Sequence, residues 1–193
     1  MNNPGWSRTP AAMSTHDTAL LVIDVQEKLI GLIPGHEKIV WNLSRLIDAA
    51  QILEVPVAGS EQYPQGLGPT IPELANRIGP LPAKMSFSCI SCTDMLDQLQ
   101  QQGVDKLLVA GIETHVCVQQ TVLDLLACGL AVFVCVDATG ARFELDHQIA
   151  LRRMESAGAT LTTTEAAIFE WCQMAGTPQF KQISQLIRQP PPE

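Results

Sequence analysis

The sequence predicts an α/β fold, a three-layer α/β/α sandwich with a central, mainly parallel sheet of five or six strands. Three observations carry that reading. Short apolar runs alternate with longer segments of helical period along most of the chain. The first run, Ala19-Leu20-Leu21-Val22-Ile23, is apolar at every position, as a strand buried on both faces must be. Asp24 and the turn at residues 111–117 close two such runs, and parallel sheets place ligands beyond the carboxyl ends of their strands.

The elements follow in order. Residues 1–16 hold two prolines and no apolar run, so they read as a disordered extension without a secretory signal, with Met13 as an alternative start. The ordered domain is expected over residues 17–188 and a disordered tail over 189–193. After the first strand, Ile39, Leu43, Leu46, Ile47 and Leu53 recur at helical spacing. Val55-Pro56-Val57-Ala58-Gly59 is a second short strand, and residues 61–82, rich in Gly and Pro, read as a functional loop holding a short helix. Thr93 is placed to cap a helix through Met95, Leu96 and Leu99 that closes near Gly103. Lys106-Leu107-Leu108-Val109-Ala110-Gly111 is the third strand, followed by a helix over residues 114–128 that ends at Gly129. A fourth strand over 131–136 ends in Asp137, a helix covers 146–157, and Thr160-Leu161-Thr162 is a short strand. Helical stretches at 166–174 and 180–187 complete the domain.

At 193 residues and 46% hydrophobic content the chain suits one well-buried domain. Twenty acidic residues against 12 basic ones give a net charge of −8, and the basic residues are scattered, which argues against nucleic acid as a partner. No stretch is apolar enough to span a bilayer, so no membrane partner is expected. Cys128 and Cys135 lie within or beside apolar segments and Cys172 on an amphipathic stretch, and the chain has neither the size nor the signal of a small secreted framework, so the six cysteines read as reduced thiols of a cytoplasmic protein.

Cys117 opens a helix that follows a buried strand. Unpaired N–H groups and the helix dipole there favour a thiolate and can stabilise an oxyanion, against the plain reading of a small buried cysteine. Asp24 suits a general base, a metal ligand or a helix cap. Lys84 alone would be a solvated surface charge. Cys89-Ile90-Ser91-Cys92 has C-x-x-C spacing without the second pair of a zinc site or a thioredoxin-like setting. The four histidines, His16, His36, His115 and His147, lack zinc-site spacing, and no dinucleotide or Walker A motif occurs.

Together, Leu21-Val22-Ile23-Asp24-Val25-Gln26, the segment around Lys84 and Gly111-Ile112-Glu113-Thr114-His115-Val116-Cys117-Val118 resemble the isochorismatase-like cysteine hydrolases over about residues 17–188. Ser60-Glu61-Gln62-Tyr63-Pro64, Lys84-Met85-Ser86-Phe87-Ser88 and Leu161-Thr162-Thr163-Thr164-Glu165 are similar to the branch called isochorismatase domain-containing proteins. The resemblance implies a triad in which Asp24 accepts and returns a proton, Lys84 is its electrostatic partner and Cys117 is the nucleophile. It further implies a cis peptide at Ile112–Glu113 and an oxyanion hole from the N–H groups of Glu113 and Cys117. Gln26, Glu61, Tyr63, Phe87, Thr114 and His115 are the candidate substrate-binding residues.

Nicotinamidases of this superfamily bind a metal through an Asp and two His after the second strand. Residues 58–64 here hold no histidine, so no metal or other cofactor is expected, and Cys117 argues against isochorismatase activity proper, whose enzymes lack that cysteine. The expectation is a hydrolase of a small amide or related C–N compound, self-associated as a dimer or larger. The alternative is a non-catalytic scaffold or binding protein that retains the fold.

Overall fold

The computed structural model describes residues 8–192. Six strands form the sheet: β1 (Thr18–Ile23), β2 (Val57–Gln62), β3 (Ala83–Lys84), β4 (Lys106–Ile112), β5 (Ala131–Gly140) and β6 (Thr160–Thr162). Their order is β3-β2-β1-β4-β5-β6, with each neighbouring pair parallel. Nine α-helices are described: α1 (Glu27–Ile30), α2 (His36–Leu53), α3 (Pro64–Leu67), α4 (Pro72–Ile78), α5 (Thr93–Gln101), α6 (Gln119–Ala127), α7 (Glu144–Ser156), α8 (Thr164–Cys172) and α9 (Pro178–Ile187).

The alternation of side chains along a strand explains the two layers of helix. Leu20 and Val22 of β1 join a core with residues of α2, α4, α8 and α9, while Ala19, Leu21 and Ile23 join a second core with α5, α6 and α7. β4 divides in the same way, with Leu108, Ala110 and Ile112 on one side and Leu107 and Val109 on the other. Such two-faced burial, at roughly 25 cal/mol per Å² of apolar area removed from water, is the main force holding the sheet in place.

Strand order reverses between β1 and β4, where chains leading to opposite faces separate and open a crevice at the carboxyl edge. The two strands approach closely there: Gly111 lies at φ +119°, and a Cβ on it would collide with the carbonyl oxygen of Ile23.

Several boundaries differ from the sequence reading. β2 starts at Val57 and runs on through Glu61 and Gln62, which the composition placed in a loop, and that loop holds two helices, α3 and α4. β3 has only two residues. Pairing of Gln62 with Lys84 puts the lysine on a sheet edge rather than in a connecting segment. β5 continues past Asp137: Val109 faces Val134 but Gly111 faces Thr139, so β5 bulges and then resumes. Asp137 is therefore not a strand end. Its Oδ1 accepts from the backbone N–H and the hydroxyl of Thr164 at 2.8 and 3.0 Å, tying the start of α8 to the bulge.

Of the segment expected to be a disordered extension, residues 1–7 lie outside the described residues, as does Glu193 of the tail. Residues 8–16 make defined contacts. Arg8 donates to the carbonyls of Met13 and Glu170, the Met13 N–H donates to Glu170, and the Met13 side chain is fully buried. The apolar methionine joins the core shared by α2, α4, α8 and α9, a long-range placement that local polarity does not reveal. Among the described residues no helix is long and apolar enough to cross a membrane.

Candidate active site

Asp24 leaves β1 in the left-handed region at φ +53°, a conformation that Asp tolerates better than most residues and that clusters at functional sites. Its N–H donates to the Ser60 carbonyl at 3.1 Å and its own carbonyl accepts from Gln26 at 2.8 Å, which fixes the turn. The side chain is wholly buried. The Lys84 ammonium donates to Asp24 Oδ2 at 2.6 Å, to Gln62 Oε1 at 2.8 Å and to the Phe87 carbonyl at 2.9 Å, with the Ser86 carbonyl more distant at 3.5 Å. Burial is the largest influence on Lys84 and would lower its pKa, but the Asp24 charge and hydrogen bond, together with Cys89 and Cys117, outweigh it and the net shift is upward. Lys84 thus stays charged. Asp24 Oδ1 accepts from the Ser60 hydroxyl at 2.8 Å.

Cys117 lies in a π-helical turn, Thr114–Val118, that precedes α6. Wider turns of this kind are frequent at functional sites. The Glu113 carbonyl accepts from Val116 at 3.1 Å and Val118 at 3.2 Å, bonds that bracket Cys117. The Ile112–Glu113 peptide is cis. The surroundings of Cys117 correct one expectation. A helix start suggested ready ionisation, yet burial pushes the thiol well above the ordinary cysteine range, and the charge and hydrogen-bond acceptance of Asp24 push it further, with Lys84 opposing. Desolvation beside a carboxylate outweighs the dipole. The resting sulfur keeps its proton beside the Asp24 carboxylate.

Asp24, Lys84 and Cys117, from the ends of β1, β3 and β4, therefore meet in one buried cluster. The other candidates divide. Gln26 is spent on the scaffold: its amide donates to the carbonyls of Gln62 and Gly68 and accepts from the Gln62 N–H. Glu61 accepts from the Thr70 N–H at 2.6 Å. Tyr63 and Phe87 are 45% and 49% exposed on either side of Lys84 in sequence, the Tyr63 N–H donating to the Lys84 carbonyl, so both can meet a ligand. Thr114 is fully buried, its hydroxyl 2.9 Å from His147 Nδ1, and His115 Nε2 lies 3.9 Å from Asp146. The Glu113 carboxylate accepts from Arg142 Nε at 2.9 Å. Among the described residues no group of three or more His, Cys, Asp and Glu side chains is disposed to hold a metal.

Sequence reasoning missed Ser60, Gln62, Cys89, Arg142 and His147. The first two had a signal. Residues 60 and 62 share a face once residues 57–62 are read as a strand, and that face meets Asp24 and Lys84. Cys89 was visible only as half of a C-x-x-C pair. Arg142 and His147 had no local signal, since each acts through a partner 29 or 33 positions away.

The isochorismatase domain matches residues 18–166. The human isochorismatase domain-containing protein 2 is 43% identical over 178 residues, covering 91% of this chain and 85% of that one. Among solved structures, one described as the MAR1 ribonuclease of Caenorhabditis elegans is 41% identical with a TM-score of 0.87, over 94% of this chain and 95% of that one. The YcaC gene product of Escherichia coli, described as an octameric hydrolase of unknown specificity, is 27% identical with a TM-score of 0.79, over 87% and 85% of the two chains.

Proposed function

The chain belongs to the isochorismatase-like hydrolase family, and from that premise we propose that it is a cysteine hydrolase that cleaves a small amide or related C–N compound through a thioester on Cys117. The single observation that carries the reading is the buried Asp24 carboxylate held by the Lys84 ammonium at 2.6 Å beside the protonated thiol of Cys117. Asp24 takes that proton as the sulfur attacks the substrate carbonyl carbon, and Lys84 balances the charge. The tetrahedral oxyanion is received by the N–H groups of Glu113 and Cys117. Collapse breaks the C–N bond, and the proton on Asp24 goes to the departing amine. Asp24 then deprotonates water, which attacks the thioester, and the released thiol regains its proton. Carboxylic acid and amine leave. No step calls for a cofactor.

A thiol held above its ordinary pKa suits this sequence, because the thiolate forms only as the substrate arrives and the base is already in place. The neighbour described as a ribonuclease raises RNA as a second substrate class. The net charge of −8 and the engagement of Lys84 and Arg142 with Asp24 and Glu113 favour a small uncharged substrate over a phosphate backbone. We further infer a cytoplasmic protein that self-associates, as the octameric neighbour does.

The test is a screen of small amides with intact-mass detection of an acyl adduct, with an RNA substrate in parallel. The expected result is a substrate-derived mass increase on Cys117 and hydrolysis that Cys117→Ala abolishes and Lys84→Ala lowers at least a hundredfold. Undiminished hydrolysis by the Cys117→Ala protein rejects the proposal, as does RNA cleavage with no amide turnover.

A further inference from the structure

Three groups beside the triad have no part in the reaction as written: Ser60, Cys89 and Thr121. They form a continuous path. The Ser60 hydroxyl lies 2.8 Å from Asp24 Oδ1 and 3.2 Å from Cys89 Sγ, and the Cys89 N–H donates to the Thr121 hydroxyl at 2.9 Å. Ser60, Cys89 and Thr121 are all buried. Thr121 follows Cys117 by four positions, one turn along the helical segment that carries the nucleophile.

The direction of each hydrogen bond follows from counting protons. Asp24 is ionised beside the Lys84 ammonium, and an ionised carboxylate only accepts. Ser60 has one hydroxyl hydrogen, which must go to Asp24. The remaining contact of Ser60 is then one in which its oxygen accepts, so the donor is the Cys89 thiol. Burial and the Asp24 charge push Cys89 up to about 11, with Lys84 opposing, in keeping with a sulfur that holds its proton.

We propose that Cys89 is a positioning residue of the active site, its S–H donating to Ser60 so that the Ser60 O–H is committed to Asp24 Oδ1 and the carboxylate is held in register with Cys117. One carboxylate thereby sorts two thiols. Cys117 gives its proton to Asp24 directly and serves as nucleophile, whereas Cys89 is separated from it by a hydroxyl and acts only as a donor. The C-x-x-C spacing takes on a meaning other than redox pairing: the thiol of Cys89 is turned to Ser60, and its carbonyl accepts from the Cys92 N–H at 2.9 Å in a tight turn. Hydrogen bonds in series polarise one another, so loss of the first donor weakens the second. The catalytic consequence rests on the proposed hydrolysis. The donor assignment does not.

Two measurements separate these. The first is the S–H stretching band in the infrared, isolated as the difference between the wild type and Cys89→Ala. A red-shifted band is expected that moves to higher frequency in Ser60→Ala. A missing band, or one that Ser60→Ala leaves in place, overturns the donor assignment whether or not any amide is cleaved. The second is the rate of Cys117 alkylation by iodoacetamide as a function of pH, read on the Cys117 peptide by mass spectrometry. The charged and titratable groups around the path are Asp24, Lys84, Cys117 and Cys92. A carboxylate that loses a donor is free to turn away from Cys117, so the rate should fall across the pH range in Ser60→Ala and by a smaller step in Cys89→Ala. Cys89→Ser, which keeps a donor, should restore the wild-type profile. Equal profiles for Cys89→Ala and the wild type, or failure of Cys89→Ser to rescue, overturn the positioning role.

Discussion

Asp24 and Lys84 are 0% and 4% exposed, so both have surrendered their hydration, and their mutual contact and the surrounding acceptors have to compensate for it. Removing one partner of such a pair costs about 3–5 kcal/mol, because the other charge stays buried and unpaired. Lys84→Met should therefore lower the unfolding free energy by about that amount, while Asp24→Asn/Lys84→Met should lose no more than the single variant. Denaturant unfolding of the set decides it, and strictly additive losses would show that the pair does not act as a unit. Asp17 is the peripheral counterpart. Its carboxylate is partly buried, which alone would raise its pKa, but hydrogen bonds from Lys106 at 2.7 Å, Thr18 and Ser14 prevail and hold it down to about 2. A folded pKa below the unfolded value of 3.8 stabilises the protein above pH 4, and that stabilisation is lost as pH falls through about 2. Asp17→Asn should cost roughly 1–2 kcal/mol at pH 7 after allowance for solvent screening. The gap to the wild type should narrow steadily in unfolding curves taken from pH 4 downward, and a gap constant with pH would mean that the loss is steric.

At the scale of elements, the close approach of β1 and β4 sets the site, because it brings the Asp24 turn alongside the Glu113–Cys117 turn. Gly111→Ala forces a Cβ onto the Ile23 carbonyl at a φ of +119°, so a loss of about 3 kcal/mol or more is expected, together with reduced Cys117 reactivity in the protein that remains folded. A variant of wild-type stability and reactivity would show that the crevice tolerates widening. β1 and β4 were legible because strands buried on both faces must be aliphatic throughout, and Asp24 and Cys117 were legible because each follows such a run. β3 was not, since two residues carry no periodicity, and Lys84 was reached only through its resemblance to a family pattern. The end of β2 was hidden by its own function: Ser60, Glu61 and Gln62 are polar because they hold Asp24, Thr70 and Lys84, so composition reads them as loop. The protonation of Cys117 was misread for a related reason. Desolvation depends on what the rest of the chain packs around the sulfur, and no local window reports that.

For the whole molecule, the two cores are closed by α2, α4, α8 and α9 on one face and by α5, α6 and α7 on the other, so the fold does not require the apolar residues that remain outside them. Phe143, Leu145 and Ile149 are 62%, 67% and 41% exposed at the start of α7, with Leu145 and Ile149 one turn apart. Leaving such a strip in water is unfavourable, and burial against a second copy is the economical remedy. The same helix carries His147, which bonds Thr114 of the nucleophile turn, and Asp146, which faces His115. Association through α7 would therefore hold the turn around Cys117 from outside. The expected outcome is that Leu145→Glu/Ile149→Glu shifts the protein to a smaller species in sedimentation velocity, while the stability of the isolated chain changes by less than about 1 kcal/mol, as for most surface substitutions. Cys117 alkylation should fall several-fold in the dissociated variant and in the wild type on dilution. A wild type that sediments as a single chain at every concentration, or a variant that dissociates with its Cys117 reactivity intact, would separate the surface of α7 from the chemistry beneath it.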